Sequence, residues 1–204
     1  MTPGREATLV DFIRHGQPVG GRRYRGQTDD PLSEIGWQQM RKAVEGLRCW
    51  DAIVTSPLRR CAAFAHELGA HLDLPVRDDP RLAEIGFGAW EGRSPDDLIR
   101  VDPEVLQRFR RDPVGNRPPG AEALVDFHAR VDAAWQDLAA AQTHRRVLVV
   151  AHAGVIRMVI SIVLGLPREH AFRIEVGNAG ITRVRIDRDG AGAFPVLVFH
   201  GGRP

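Results

Sequence analysis

Four consecutive apolar residues, Val147-Leu148-Val149-Val150, run into Ala151-His152-Ala153-Gly154 and then into a second apolar stretch at 158–166. A strand with one wet face alternates apolar and polar residues, whereas a continuous apolar run is the pattern of a strand covered on both faces. Helices must then lie on either side of the sheet, and the small-residue turn at 151–154 leads into one from about Val155. The chain repeats this unit. Leu9-Val10-Asp11-Phe12-Ile13 is a short β-rich segment that stops at Arg14-His15-Gly16, and Ala52-Ile53-Val54-Thr55 stops at Ser56-Pro57. Pro75-Val76-Arg77 reads as a short third strand.

Between these strands lie helical signals. Ser33 is suited to cap a helix running to about Leu47, and Pro57 is suited to the first position of another. Residues 95–111 read as helical with a split at Pro103. After the break at Pro118-Pro119-Gly120, residues Leu124, Phe127, Val131, Ala134, Trp135 and Leu138 recur along one face of an amphipathic helix. The tail carries strand-like segments at 171–176, 180–186 and 194–200. Strands interleaved with helices predict a three-layer α/β/α sandwich with a largely parallel central sheet. At 204 residues the expectation is one domain, 1–204, with a small helical cap at about 93–117.

Composition narrows the partners. The 28 basic and 26 acidic side chains give a formal charge of +2, a balance that does not suggest nucleic acid. Arginine supplies nearly all the positive charge, with Lys42 the single lysine, so an arginine carries weight only where its context is informative. Met1 to Thr8 lacks an apolar signal core and no apolar run reaches membrane-span length. Cys49 and Cys61 are too few for a disulfide framework and match no metal spacing. A reduced cytoplasmic setting without membrane association is the expectation, and a homodimer is left open.

The loops after residues 13, 55 and 150 all lie at carboxyl ends of strands, the edge where open α/β sheets bind ligands. His15 there reads either as a structural strand-ending histidine or, in this context, as a nucleophile, since neutral imidazole attacks phosphorus and the neighbouring Arg14 can clamp phosphoryl oxygens. Gly16 permits close backbone approach. Arg60 reads either as a surface arginine or as a second fork donor early in its helix. His152 reads as a core histidine or as a third group at the same edge. Glu84, among Ile85, Phe87 and Trp90, is a candidate general acid with a raised pKa. Glu91 is the competing carboxylate, ranked lower as a partner for backbone or arginine. No cofactor is implied and no metal cluster is visible, since His66 and His71 lack the i, i+4 spacing of a helical ligand pair.

Four motifs in order carry a resemblance to the histidine phosphatase superfamily, the phosphoglycerate mutase-like proteins. They are Phe12-Ile13-Arg14-His15-Gly16, then Asp30-Pro31-Leu32-Ser33 with Gly36 and Gln39, then Ser56-Pro57-Leu58-Arg59-Arg60, and Val150 through Arg157 around His152. The resemblance implies a phosphatase that uses no metal and acts on a small-molecule phosphate monoester. His15 would accept the phosphoryl group, Arg14, Arg60 and His152 would hold its oxygens, and Glu84 would protonate the leaving group and then activate water.

Arg25, Gly26 and Gln27 align on the family's substrate-contact stretch within the basic loop 20–27, where Arg22 and Arg23 read equally as substrate collar or solvated loop. Gly21 stands where many members carry Asn, and Cys61 where Ala is usual. The short segment between Glu84 and Pro118-Pro119 lacks the long insertion of cofactor-dependent phosphoglycerate mutases, which favours hydrolysis. Phe87-Gly88-Ala89-Trp90-Glu91-Gly92 and Asp29-Asp30-Pro31-Leu32-Ser33 look like α-ribazole-phosphate phosphatases of cobalamin assembly. The alternatives are a broad-specificity histidine phosphatase, a phosphoglycerate mutase and a protein phosphohistidine phosphatase.

Overall fold

The computed structural model describes residues 7–141, 146–189 and 192–202. In chain order the elements are β1 (Thr8–Arg14), α1 (Glu34–Val44), β2 (Ala52–Thr55), α2 (Arg59–Leu72), β3 (Val76–Asp78), α3 (Pro95–Val101), α4 (Val105–Arg111), α5 (Leu124–Ala140), β4 (Arg146–Ala151), α6 (Ala153–Val163), β5 (Ile181–Asp189) and β6 (Gly192–Gly202). Among the described residues the strands form one sheet in the order β3-β2-β4-β1-β5-β6. β1, β2, β3 and β4 pair in parallel, and the β5–β6 hairpin adds antiparallel at the β1 edge. This is the mixed α/β, mostly parallel architecture expected from the alternating pattern.

The continuous apolar run behaves as its composition requires. Val147, Val149 and Ala151 of β4 pack into one core with α5 and α6, while Leu148 and Val150 join the other with α1 and α2. β1 divides in the same way, with Phe12 on the α5 side, tilted against Trp135 at 6.1 Å between centroids, and Ile13 on the α2 side. All six periodic residues of α5 are buried. A third cluster of Trp90, Leu98, Leu106 and Phe109 joins α3 and α4 to Tyr24, Phe87 and Phe172. Pro103 separates α3 from α4, as expected.

Two expectations fail locally. Pro57 does not open α2, which begins at Arg59 after an extended Leu58. Pro57 and Leu58 form a bend instead, across which the Ser56 hydroxyl accepts from the Leu58 N–H at 3.3 Å. Asp29, from a distant loop, accepts the Arg59 N–H at 2.7 Å and so satisfies a free donor at the helix start. Residues 171–176 are not a strand. A 3-10 segment spans Arg168–Arg173, and the following carbonyls serve side chains, Ile174 accepting from Arg157 Nε and Val176 from Arg14 Nη1.

Asp11 is a carboxylate in a central strand with 1% of its surface exposed. Arg183 sits opposite it on β5 and donates through Nε and Nη2 at 2.7 and 2.8 Å, while Trp50 Nε1 donates at 2.8 Å. A buried charge is tolerated when it is paired and hydrogen-bonded like this, and removing one partner strands the other. Asp11→Ala is expected to lower the unfolding free energy by about 3–5 kcal/mol, read from urea denaturation. A loss below about 1 kcal/mol, the value of an exposed pair, would show that the pair carries no structural weight.

Candidate active site

Parallel pairing of β2, β4 and β1 brings three chain positions to one edge. Arg14 lies opposite Ala151 and Thr55 opposite Val150. The next residues are His15, His152 and Ser56. The ladder continues one rung into the loops, where the His15 N–H donates to the Ala151 carbonyl and the Ser56 N–H to the Val150 carbonyl, each at 3.0 Å. A cleft of about 740 Å³ opens at this edge, with Arg14, His15, Arg60 and Glu84 in its wall.

His15 Nδ1 lies 2.7 Å from the Gly16 carbonyl. A carbonyl only accepts, so Nδ1 carries the proton and Nε2 keeps its lone pair. Burial, with the Arg14 and Arg60 charges, holds the imidazole pKa well below its ordinary value. His15 is therefore neutral near pH 7, the form a nucleophile needs.

Arg14 donates through Nη1 to the Val176 carbonyl at 2.6 Å. Arg60 is 1% exposed and donates through Nη1 to Thr28 and Nη2 to Gly26 carbonyls at 2.8 and 2.7 Å. The Nε groups of both arginines are buried without any hydrogen-bond partner among the described residues. Buried donors left unpaired are costly, and guanidinium donors suit an oxyanion as partner. Burial pulls the Arg14 pKa down to about 10, which still leaves it charged at neutrality.

His152 is fully buried and packs edge-on against His15, with ring centroids 5.1 Å apart. Its Nε2 lies 2.7 Å from the Ser56 hydroxyl. Burial and the Arg60 charge lower its pKa as well. The histidine stands behind His15 rather than on the cleft surface. Cys61 packs beside it, wholly buried, its Sγ donating to the Ala151 carbonyl at 3.4 Å; burial pushes the thiol pKa up, as suits an inert filler.

Glu84 reaches the cleft, but not through the apolar surroundings expected of it. Its carboxylate accepts from the Ile85 N–H at 3.0 Å and from the Gly154 N–H, in the first turn of α6, at 3.1 Å. A Cβ on Gly154 would fall 2.2 Å from Glu84 Oε1, so glycine there makes room for the carboxylate. Glu91 is occupied elsewhere. It accepts from the N–H groups of Gln27, Thr28 and Phe87 and from the Thr28 hydroxyl, all within 3.1 Å.

Glu91 thereby shapes the 20–27 loop. Gly26, at φ +51°, has no space for a side chain, since a Cβ would meet Glu91 Oε1 at 2.1 Å. Arg25 lines the cleft but its guanidinium turns back, to Asp30 at 2.9 Å and to the Val19 and Gly21 carbonyls. Gln27 is exposed and outside the cleft wall. Gly16 also lies outside it. Its missing side chain accommodates α1, because a Cβ would meet the Gly36 carbonyl oxygen at 2.2 Å. The close approach at Gly16 is thus between two backbones.

Several wall residues carried no assigned role in the sequence. Arg157, on α6, donates through Nε to the Ile174 carbonyl at 2.7 Å and lies over Phe172. Tyr24, Phe109 and Arg110 also line the cleft. The i+3 spacing of Arg157 from Gly154 on one helix was the available signal, but arginine is so common in this chain that it did not stand out.

The profile of the histidine phosphatase superfamily (branch 1) matches residues 10–194, and the chain belongs to that superfamily. It is 32% identical over 195 residues to a bifunctional protein of Mycobacterium tuberculosis, an alignment covering 93% of this chain and 53% of the other. The chain thus spans about half the length of that curated relative. A mycobacterial glucosyl-3-phosphoglycerate phosphatase superposes with a TM-score of 0.82 at 32% identity, covering 93% of this chain and 96% of that one. The α-ribazole phosphatase from Shigella flexneri gives 0.77 at 25% identity, over 97% and 98% of the two chains. Among the described residues no helix is long and apolar enough to cross a membrane.

The two buried histidines set a pH dependence of stability. Their folded pKa values lie below the ordinary 6.5, so below that pH the unfolded chain binds protons the fold refuses. Stability is then lost as pH falls from about 6.5 toward the folded values, each histidine adding up to about 1.4 kcal/mol per pH unit. Urea midpoints between pH 7 and 5 are expected to fall with acidification, and His152→Gln to flatten the slope. A midpoint independent of pH over that interval would contradict the neutral assignment.

Proposed function

We propose that the protein is a metal-independent phosphatase that hydrolyses small-molecule phosphate monoesters through a covalent phosphohistidine. The observation that carries the reading is the buried, neutral His15, with a free Nε2 lone pair, in the same wall as two guanidinium Nε–H groups that lack partners. In the first step His15 Nε2 forms a bond to phosphorus as the ester P–O bond breaks, and Glu84, in its protonated form, gives its proton to the leaving oxygen. In the second, Glu84 takes a proton from water as that water attacks phosphorus. The N–P bond then breaks, returning the electron pair to His15 and releasing phosphate. Arg14 and Arg60 are fixed cations for the charge on the transferring group, the main requirement of phosphoryl transfer. They supply what a metal would otherwise contribute.

Two esters come forward as substrates. The motifs around Phe87 and Asp29, with the Shigella structure, favour α-ribazole 5′-phosphate and a place in cobalamin assembly in the cytoplasm. The higher identity to the mycobacterial enzyme favours glucosyl-3-phosphoglycerate. Broad specificity over several monoesters is the alternative to either.

His15→Ala is expected to abolish phosphate release from an aryl phosphate, and with it the acid-labile, base-stable labelling by phosphorylated substrate. Wild-type turnover is expected to survive extended chelation. Retained activity in the variant, or loss on chelation with recovery by one metal, would overturn the reading.

Glu84→Gln is expected to slow esters with poor alkoxide leaving groups by about 10²–10⁴-fold, the usual worth of a general acid. Activated aryl esters, which need no proton on the leaving group, are expected to lose far less in the phosphorylation step. Equal losses in single-turnover rates on both ester types would remove Glu84 from the role of acid.

A further inference from the structure

The cleft wall is far more cationic than the removal of one phosphoryl group requires. Seven arginines line it, against two glutamates, Glu84 and Glu175. Four of the seven have their work. Arg14 and Arg60 carry the unpartnered Nε groups beside His15, Arg25 is neutralised by Asp30, and Arg23 is tied to the Gly20 and Gly92 carbonyls at 3.0 and 2.9 Å. Arg22, Arg110 and Arg157 remain. Arg22 and Arg110 are exposed and have no hydrogen bond or ion pair among the described residues. Arg157 is half-buried, bonded to a carbonyl and pressed against the Phe172 ring.

These three belong to one place. All of them line the cleft together with Tyr24, whose ring is fixed edge-on against Phe87 and Trp90 at 5.1 Å each. Burial raises the Tyr24 phenol pKa, and the opposing pull comes from Arg110, Arg22 and Arg157, the three charges converging on it. Arg22 and Arg157 also act on Arg14, so the group neighbours the phosphoryl site. Two carboxylates share the wall: Glu84, held by two backbone N–H groups, is the leading counter-charge for Arg157, and exposed Glu175 acts on Arg157 more weakly, which leaves Arg22 and Arg110 without an ion pair among the described residues. Like charges brought together on a partly dry wall repel one another and gain from an anion between them.

We propose that Arg22, Arg110 and Arg157, with the Tyr24 hydroxyl, form a second anion site that reads an acid group on the leaving alcohol. The substrate class is then a phosphate monoester that also bears a carboxylate or a second phosphate, and esters of neutral alcohols are poorer substrates. This rests on the phosphatase reading for its place in the reaction, while the binding itself is separable from turnover. Of the two esters suggested by likeness, the class fits a phosphoglycerate derivative and disfavours a neutral nucleoside leaving group.

The test uses matched pairs on the inert His15→Ala variant, with affinity measured by calorimetry at low salt. 3-Phosphoglycerate is compared with glycerol 3-phosphate, 6-phosphogluconate with sorbitol 6-phosphate, and fructose 1,6-bisphosphate with fructose 6-phosphate. The first two pairs differ by a carboxylate at short and long reach, and the third by a phosphate. At least one pair is expected to favour the acid-bearing member by tenfold or more, with the ratio falling toward one as salt rises. Adding Arg22→Gln and Arg110→Gln is expected to collapse that ratio to below threefold, and Arg110→Lys to retain most of it. Ratios near one in all three pairs, or a ratio unmoved by the double substitution, would overturn the second site. Turnover of an aryl phosphate by the wild type reports separately on the phosphatase reading, which stands or falls without reference to these ratios.

Discussion

Parallel pairing of β1 and β4, with β2 on the far side of β4, is the constraint from which the site follows. Strands that run in the same direction end at the same edge, so the residue after each arrives beside the residue after its neighbour. His15 follows Arg14, His152 follows Ala151, and the last rungs of the ladder are bonds made by the His15 and Ser56 N–H groups themselves. Parallel pairing also requires crossovers that cover both faces, which is why β4 is apolar on both. The same apolar run that holds the sheet together therefore brings His152 to the same edge, behind the His15 that lines the cleft.

At that wall burial and charge act together. Removing an imidazole from water disfavours its charged form, and neighbouring guanidinium groups disfavour it further. Both effects lower the pKa values of His15 and His152. The arginines bear a complementary cost, since Arg14 and Arg60 each keep a buried Nε–H with no acceptor among the described residues. Under the proposed phosphatase reading, a phosphoryl group in the cleft would meet these cations and the free His15 lone pair. The loop at 20–27 completes the wall from the other side, held where Glu91 accepts the Gln27 and Thr28 N–H groups together with that of Phe87, and by Arg25 folded back onto Asp30.

Much of this was written locally in the chain. The β4 run, the period of α5, the Ser33 cap and the break at Pro103 each depend on a few adjacent residues, and each appears where the pattern put it. The Arg14-His15-Gly16 segment and its companions could be picked out too, because they sit on short segments at or just after strand ends. Local reading failed where a segment had no partner of its own kind. Residues 171–176 have strand composition, but their carbonyls at 174 and 176 are taken by Arg157 and Arg14. The Ser56-Pro57 pair has a helix-opening composition, but Pro57 enters a bend before α2 while Ser56 turns to His152.

The sequence by itself determined the alternation of strands and helices, the apolar faces, and the presence of His15, Arg14, His152 and Glu84 at strand ends or loops and of Arg60 early in a helix. Tertiary structure decided what each side chain is bonded to. It gave Glu91 to the backbone of a loop more than sixty residues away and Glu84 to the start of α6. It assigned the space at Gly16 to Gly36 rather than to an anion. It turned Arg25 inward and left Arg22 and Arg110 lining the cleft with no side-chain partner among the described residues. The physical reason is range. Periodicity and capping are set by neighbours within a turn or two, whereas the partner of a buried charge or donor is found across the fold, by whichever group the packing brings within about 3 Å.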